Sequence, residues 1–336
     1  MQPIAAALSS VTLGEPAQFR SLTVIPLLAP EERIPGYVLL DDALARKLAH
    51  VTEVSESGSV PELLFVNDAE DRVLLIDGEE LVGARQNRIL NVSILVGGLQ
   101  KVVIPVSCVE QGRWSYRSRH FESAERTLFA SARAKKSQHV SASLRASGSR
   151  YANQAEIWSD ISHKAASLHV HSETEAMSDI YEQRRGRIED YVTAFAPQPR
   201  QAGAIFAIGG RITGLEFFDA AETFRKLMAK LVRSYAMDAI EQPAAESRPP
   251  VEEVVRRFLD DMQAAALQRF KALGEGEDLR IESATIAGGA LAADDRIVHL
   301  CAFRVEKPVA RPIGRGGHID FEIPAFLRRR RTVIPE

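Results

Sequence analysis

The sequence predicts an α+β fold: an N-terminal antiparallel β-rich part, packed with a helical middle and a C-terminal hairpin and helix part. Three observations predict it. Residues 20–116 hold short runs of branched aliphatics joined by brief turn-rich connections, the pattern of antiparallel pairing. Residues 120–195 instead repeat apolar groups at helical spacing. Beyond residue 200, two β-prone runs flank Gly209-Gly210 and helical stretches follow. Strands and helices do not alternate regularly, so a doubly wound parallel sheet is not expected.

Taken in order, residues 1–20 are small and polar and read as a loose lead-in. Residues 22–28 (LTVIPLL) have strand composition, with Pro26 pointing to an edge or the end of pairing. Residues 41–50 suit a short helix capped by Asp41 or Asp42. Residues 63–67 and 73–76 look like two strands of a hairpin, with NDAEDR as the turn. After the Asp77-Gly78 turn, Leu90, Val92, Ile94 and Val96 alternate on one strand face. Val102, Ile104, Val106 and Cys108 share a face of the next strand, where Pro105 marks an edge or bulge.

Residues 122–145 are Ala- and Lys/Arg-rich and suit a helix, as do 151–168, where Ile157, Ile161, Ala165 and Leu168 share one face. Ser172 with Glu175, and Asp219 with Glu222, have capping-box spacing ahead of further helices. Residues 203–218 read as a hairpin, 243–250 as an exposed linker and 251–273 as one more amphipathic helix. Residues 279–287 and 297–305 look like paired strands, and the last 30 residues are irregular. The expected division is a domain over 20–242 (β-rich 20–116, helical and hairpin 120–242), a linker, and a C-terminal piece over 251–336.

The 336 residues carry a formal net charge of −3, with 45% hydrophobic and 26% charged groups. That balance is globular, and it gives no overall pull toward nucleic acid or anionic membrane. No run approaches the roughly 20 apolar residues of a membrane span. Only Cys108 and Cys301 are present, so no disulfide framework is expected and a reducing, cytoplasmic setting fits. The run Arg328 to Arg331 reads as a solvated tail. His163, His169 and His171 do not share a helical face, and no metal site is expected from them.

Chemistry is densest at residues 74–114. Glu79, Glu80 and Glu110 are the candidate catalytic residues. Acid–base work on a glycosidic or N-glycosidic bond needs one carboxyl protonated and another ionised across the bond. Adjacent Glu79 and Glu80 leave opposite faces of an extended chain, so the pair would be one of them with Glu110. Arg85, Gln86, Asn87, Arg88, Asn91 and Arg113 are the candidate ligand-binding residues. Guanidinia bind phosphate bidentately, and amides read ribose hydroxyls or a base edge. The opposing reading is a self-satisfied corner in which acids, guanidinia and amides pair with one another. Cys108 and Trp114 read as packing groups before nucleophile or stacking platform.

The strings DGEELVGARQNRILN (77–91) and PVSCVEQGRW (105–114) resemble a bacterial family, the ADP-ribosylglycohydrolase and rhodanese-phosphatase-superfamily associated protein domain, first kind. The resemblance continues in EAMSDIYEQ (175–183), AIFAIGGRITGLEFFD (204–219) and LVRSYAMDAI (231–240), and covers about 20–242. It implies a setting in NAD or ADP-ribose metabolism and carries no catalytic residues or cofactor with it. Two functions follow as alternatives. One is a domain that binds or processes an NAD- or ADP-ribose-related nucleotide. The other is a scaffolding protein, a possible homo-oligomer, whose helices make the contacts.

Overall fold

The structure is a computed structural model and describes residues 3–55, 61–113, 118, 120–242 and 248–305. Trp114, most of the expected linker and the Arg-rich tail lie outside these residues. The fold is α+β, with antiparallel sheets and helices on both faces of the largest one.

That large sheet is ordered Thr12–Leu13, Leu22–Leu28, Gln201–Ile208, Arg211–Phe218, Arg296–Arg304, Ile286–Ala293, Glu277–Glu282, Ala266–Lys271. Its centre is the hairpin read from Gly209-Gly210: both glycines have positive φ, and Gly203 to Ile208 pair with Phe217 to Arg211. Alternation then separates two faces. Leu215, Phe217, Leu300 and Ala302 pack with Ile4, Leu8, Val255, Phe258 and Met262 from helices Pro3–Ser10 and Glu252–Ala264. Phe206, Phe218 and Phe303 point the other way, toward helices Ala130–Ser147 and Ala221–Ala239. There Phe206 stacks on Tyr235 at 3.9 Å between centroids.

A second antiparallel sheet is ordered Phe121–Thr127, Glu79–Gly83, Arg88–Leu90, Lys101–Cys108, Glu62–Asn67, Ala49–Glu53. It holds three strands of the 74–114 stretch. Pro105 sits where Lys101–Cys108 changes partner, from Glu62–Asn67 to Arg88–Leu90, so its missing N–H interrupts nothing. A small third sheet joins Ile94–Val96, Val73–Leu75 and Val38–Leu39, the last pair parallel.

Several sequence expectations are corrected. The stretch 62–75 is not a hairpin: Asn67 Nδ2 donates to Asp71 O and Gly97 O, and the two strands enter different sheets. The alternation over 90–96 is broken at 91–93, where Asn91 and Ser93 turn their side chains to distant partners. Residues 121–127 are a strand, because pairing with Glu79–Gly83 overrides their helix propensity. The helix expected over 251–273 ends at Ala264; Ala265 is extended and Ala266–Lys271 forms an edge strand.

Neither capping box forms. Ser172 Oγ accepts the Ala176 N–H ahead of a helix beginning at Met177, and Asp219 accepts the Tyr37 hydroxyl. Between 279 and 305 there are three strands rather than two, Ile286–Ala293 lying between its neighbours. The lead-in contains the helix Pro3–Ser10, held by Ile4 and Leu8.

Candidate functional site

The acidic groups of 77–113 and Arg88 are buried, and with their partners they divide into three sets. Glu80 on Glu79–Gly83 is fully buried, as is Asn87 next to Arg88–Leu90. Asn87 Nδ2 donates to Glu80 Oε1 (3.3 Å), and the Asn87 backbone N–H donates to Glu110 Oε2 (3.1 Å). Glu110 Oε2 also pairs with Arg113 (2.7 Å), and Thr174 donates to its Oε1 (3.3 Å). Arg113 donates to Asn87 Oδ1 and Ala84 O. Gln86 donates to Glu110 O (2.8 Å) and accepts from Arg88 (3.1 Å). Thus Glu80, Gln86, Asn87, Arg88, Glu110 and Arg113 come together, while Arg85 stays half-buried at the edge.

Arg88 is fully buried, and burial pushes its guanidinium below the usual value. Among the described residues, neither its Nε nor its Nη2 has a hydrogen-bond partner. Burial likewise raises the Cys108 thiol, which is a packing group here rather than a thiolate.

The second set lies one residue back. Glu79 accepts the Ile76 N–H and pairs with buried Lys230 (2.7 Å), which also reaches Asp41 (2.8 Å). Glu79 and Glu80 leave opposite faces, as alternation requires, and Glu80 is the one beside Glu110. Burial pushes the carboxyls of both Glu79 and Glu80 up.

Asn91 and Asp77 belong to a third set at the interface with the large sheet. Asn91 accepts from Ser107 (2.7 Å) and donates to Arg150 O (3.0 Å). Asp77 pairs with Arg133 (3.2 Å) and Lys136, and Arg133 continues to Glu216 (2.6 Å). His299 lies 3.2 Å from Glu216 and 2.6 Å from Ser93. None of Arg133, Lys136, Glu216, His299 or Ser93 is singled out by the sequence reading. The available signals were Glu216 amid an apolar strand, on the face opposite Leu215 and Phe217, and Arg133 with Lys136 three apart in an Ala-rich helix.

Glu216, His299 and Cys301 offer ligand atoms within 4.8 Å of one another. Arg133 and Tyr235 already occupy the Glu216 oxygens, so the cation position in this group is filled by a guanidinium.

Asp77 gives a pH prediction. Burial alone would raise its carboxyl, but Lys136 and Arg133 outweigh burial and hold it below the usual range. A depressed folded pKa contributes stability that is complete above the unfolded value of about 3.9 and is lost as pH falls through the folded one. Urea midpoints measured between pH 6 and pH 2.5 are expected to fall steeply below about pH 4. In Asp77→Asn that part of the slope is expected to flatten; an unchanged slope would remove Asp77 as its source.

The first set reaches a cavity through a residue outside the 77–113 stretch. Arg126, on Phe121–Thr127, caps buried Glu80 and also pairs with Glu182 (3.3 Å). Burial would lower the Arg126 guanidinium, but Glu80 outweighs it and the value is raised. Arg126 lines a half-open cavity of about 340 Å³ with Tyr181, Ile188, Arg185, Arg233 and the glutamates at 125, 182 and 189. Arg233 grips Glu189 with two nitrogens (2.7 and 3.3 Å) and approaches Glu125 (3.5 Å).

The family model for the ARG and Rhodanese-Phosphatase-superfamily-associated Protein domain, ARPP-1, matches residues 10–303. The chain belongs to the ARPP-1 family. The match reaches past residue 242 because the ARPP-1 domain here includes the strands Glu277–Glu282, Ile286–Ala293 and Arg296–Arg304, which complete the large sheet. The family name links the domain to ADP-ribosylglycohydrolase-associated proteins. No curated protein and no solved structure matches this ARPP-1 chain. Among its described residues, no helix is long and apolar enough to cross a membrane.

Proposed function

We propose that this ARPP-1 domain binds an NAD- or ADP-ribose-related nucleotide in the cavity of Arg126, Arg185 and Arg233. One observation carries the reading: Arg126 joins the buried motif to an open cavity that contains two further guanidinia. Three guanidinia suit a diphosphate, which they meet with paired N–H donors. The counter-ions are exchangeable: Glu125, Glu182 and Glu189 have side chains 88%, 49% and 41% exposed, so they can swing into solvent when an anion arrives. Released, they can accept ribose hydroxyls. A volume of about 340 Å³ lies within the usual range for small-ligand sites, roughly 300–1,000 Å³.

In this reading Glu80, Asn87, Glu110, Gln86 and Arg113 form the framework behind Arg126. Glu80 holds the guanidinium at the cavity wall; Asn87 donates to Glu80, and Glu110 holds the Asn87 backbone. The protein then acts as a binder, or as an enzyme whose reacting group arrives with the ligand. The setting implied by the family name supports the ligand class.

Calorimetry with ADP-ribose, NAD, ADP, AMP and ribose 5-phosphate tests the reading. Diphosphate ligands are expected to bind better than monophosphates. Arg233→Gln is expected to weaken binding roughly 10- to 100-fold, the worth of a charge-assisted contact of about 1.5–3 kcal/mol. Absence of heat from any of these ligands at millimolar concentration would sink the ligand class. It would favour the scaffolding reading, which the mutual pairing of Glu110, Asn87 and Arg113 also fits.

A further inference from the structure

The large sheet carries a row of polar groups on the face that helix Ala130–Ser147 covers. Glu216 stands opposite Cys301, and His299 opposite both Phe218 and Leu291, so Glu216, His299 and Cys301 share that face. Ser93 reaches the row from the break between Arg88–Leu90 and Ile94–Val96. Three segments distant in sequence, those of Ser93, Glu216 and His299 itself, therefore meet at one imidazole.

The hydrogen bonds fix the direction of proton movement. Glu216 takes up Arg133 (2.6 Å) and the Tyr235 hydroxyl (3.2 Å), the pairing of a carboxylate held in place. A carboxylate only accepts, so His299 Nε2, 3.2 Å away, carries the hydrogen. In the neutral ring Nδ1 is then the acceptor. Ser93 Oγ, 2.6 Å from Nδ1, donates to it. Phe218 stacks on the ring at 4.5 Å and 11°, which keeps its plane. The Asp77 backbone N–H donates to Ser93 Oγ (2.9 Å), which fixes the hydroxyl beside the imidazole.

We propose that Ser93 is a nucleophile, with His299 as its general base and Glu216 as the residue that orients His299, and that it cleaves carboxylic esters. The serine, imidazole and carboxylate carry the roles that define such a constellation irrespective of fold or sequence order. Ser93 is half-buried and lines a small pocket with Asp77, Arg280, Gly289, Leu291 and Cys301. The pocket is about 10 Å³, near the size of one water, so it admits at most a carbonyl oxygen, and the acyl chain and the alcohol of the ester both stay outside it. Arg280 and Asp278 also line the pocket, 3.4 Å apart, so the guanidinium there is paired, and Gly289 makes room for it: a Cβ there would stand 2.3 Å from the guanidinium.

The step balances without oxidant or reductant. Ser93 Oγ attacks the ester carbonyl carbon while its proton passes to His299 Nδ1. The bond from that carbon to the leaving oxygen breaks, and His299 returns the proton to the departing alcohol. Water then attacks the acyl-serine, gives a proton to His299, and releases the carboxylic acid as the proton returns to Ser93 Oγ. Positioning by Glu216 acts through His299 and touches no substrate.

The full-length protein is treated with an alkyl fluorophosphonate, and the site of modification is read by peptide mass spectrometry. The expected result is one adduct per chain, on Ser93, and none in Ser93→Ala. His299→Gln is expected to slow labelling roughly 100-fold or more, the worth of a general base. p-Nitrophenyl acetate should give a burst of about one equivalent, as an acyl-enzyme does. The wild-type labelling does not depend on any variant folding; circular dichroism checks Ser93→Ala, which deletes one hydroxyl. A folded wild-type protein whose Ser93 stays unmodified, or whose adduct lies on another residue, overturns the proposal. The nucleotide reading above is untouched by either outcome, since its cavity is lined by other residues.

Discussion

Replacing Arg133 with methionine is expected to destabilise the protein by about 3–5 kcal/mol, the cost of breaking a buried charge pair from one side. Arg133 is fully buried and lies over the Phe303 ring at 5.0 Å. It is the one cation that touches both Asp77 and Glu216 among the described residues. Methionine fills most of the space but leaves those carboxylates with less. Asp77 retains Lys136; among the described residues Glu216 retains the Tyr235 hydroxyl and His299. The larger share of the loss is therefore expected from Glu216, at the centre of the large sheet.

The same reasoning sets a pH dependence for the variant. With Arg133 gone, protonation becomes the cheapest way to neutralise Glu216. The gap between wild type and Arg133→Met is expected to be widest near pH 7 and to narrow as pH falls toward the carboxylate range. Urea unfolding at pH 7 and pH 5 measures both gaps. A loss below about 1 kcal/mol at pH 7 would show that the arginine is replaceable by apolar volume, as some buried ion pairs are.

The parts of this fold that were legible in the sequence are those where a local pattern and the tertiary environment agree. The hairpin around Gly209-Gly210 is one: positive φ at both glycines and alternating apolar residues demand the same structure. The helix Ala221–Ala239, expected to follow Asp219, is another. Misreadings arose where tertiary pairing decides. Nothing local distinguishes residues 121–127 from the helix that follows; the partner strand Glu79–Gly83 does. Nothing local separates 62–67 from 73–75 into different sheets; the side chain of Asn67 does so by bridging Asp71 and Gly97.

The candidate residues show the same limit. Sequence density correctly drew attention to Glu80, Gln86, Asn87, Arg88, Glu110 and Arg113 as neighbours, because strand Arg88–Leu90 pairs with Lys101–Cys108 and brings residues 86–88 beside 108–113. Arg126 could not be found that way. It sits in a strand that looked helical, and its importance comes from standing between a buried carboxylate and a cavity. His299 and Glu216 were hidden for a related reason: each is a single polar residue inside an apolar strand. Their proximity exists only once Arg211–Phe218 and Arg296–Arg304 lie in register.

Glu110→Ala is expected to cost about 2–4 kcal/mol, because hydrogen bonds to a charged group are worth roughly 1.5–3 kcal/mol each and this carboxylate accepts several. Its loss strips a partner from the Asn87 N–H, from Arg113 and from Thr174 at once. The Asn87 N–H is buried, and no other acceptor replaces Glu110 among its described contacts. Glu110→Gln retains an acceptor oxygen for either Asn87 or Arg113 but presents an N–H to the other. About half the loss is expected for it. The order Ala worse than Gln, with both clearly destabilised, is what a framework role requires.

A carboxylate kept for chemistry behaves differently. Active-site groups are often held against stability, so the glutamine variant of such a residue folds as well as wild type or better while its reaction disappears. Chemical denaturation of the two variants, alongside calorimetry with ADP-ribose, separates the cases. Destabilisation with weakened binding that tracks the fraction folded would place Glu110 behind Arg126. Unchanged stability with undiminished binding would return it to the candidate acids. Glu80 cannot be tested so simply: removing it leaves Arg126 facing the cavity without its buried counter-ion, and that would strengthen anion binding even as it weakened the fold. Glu110, one hydrogen-bonded residue further back, is therefore the position at which framework and chemistry give opposite results.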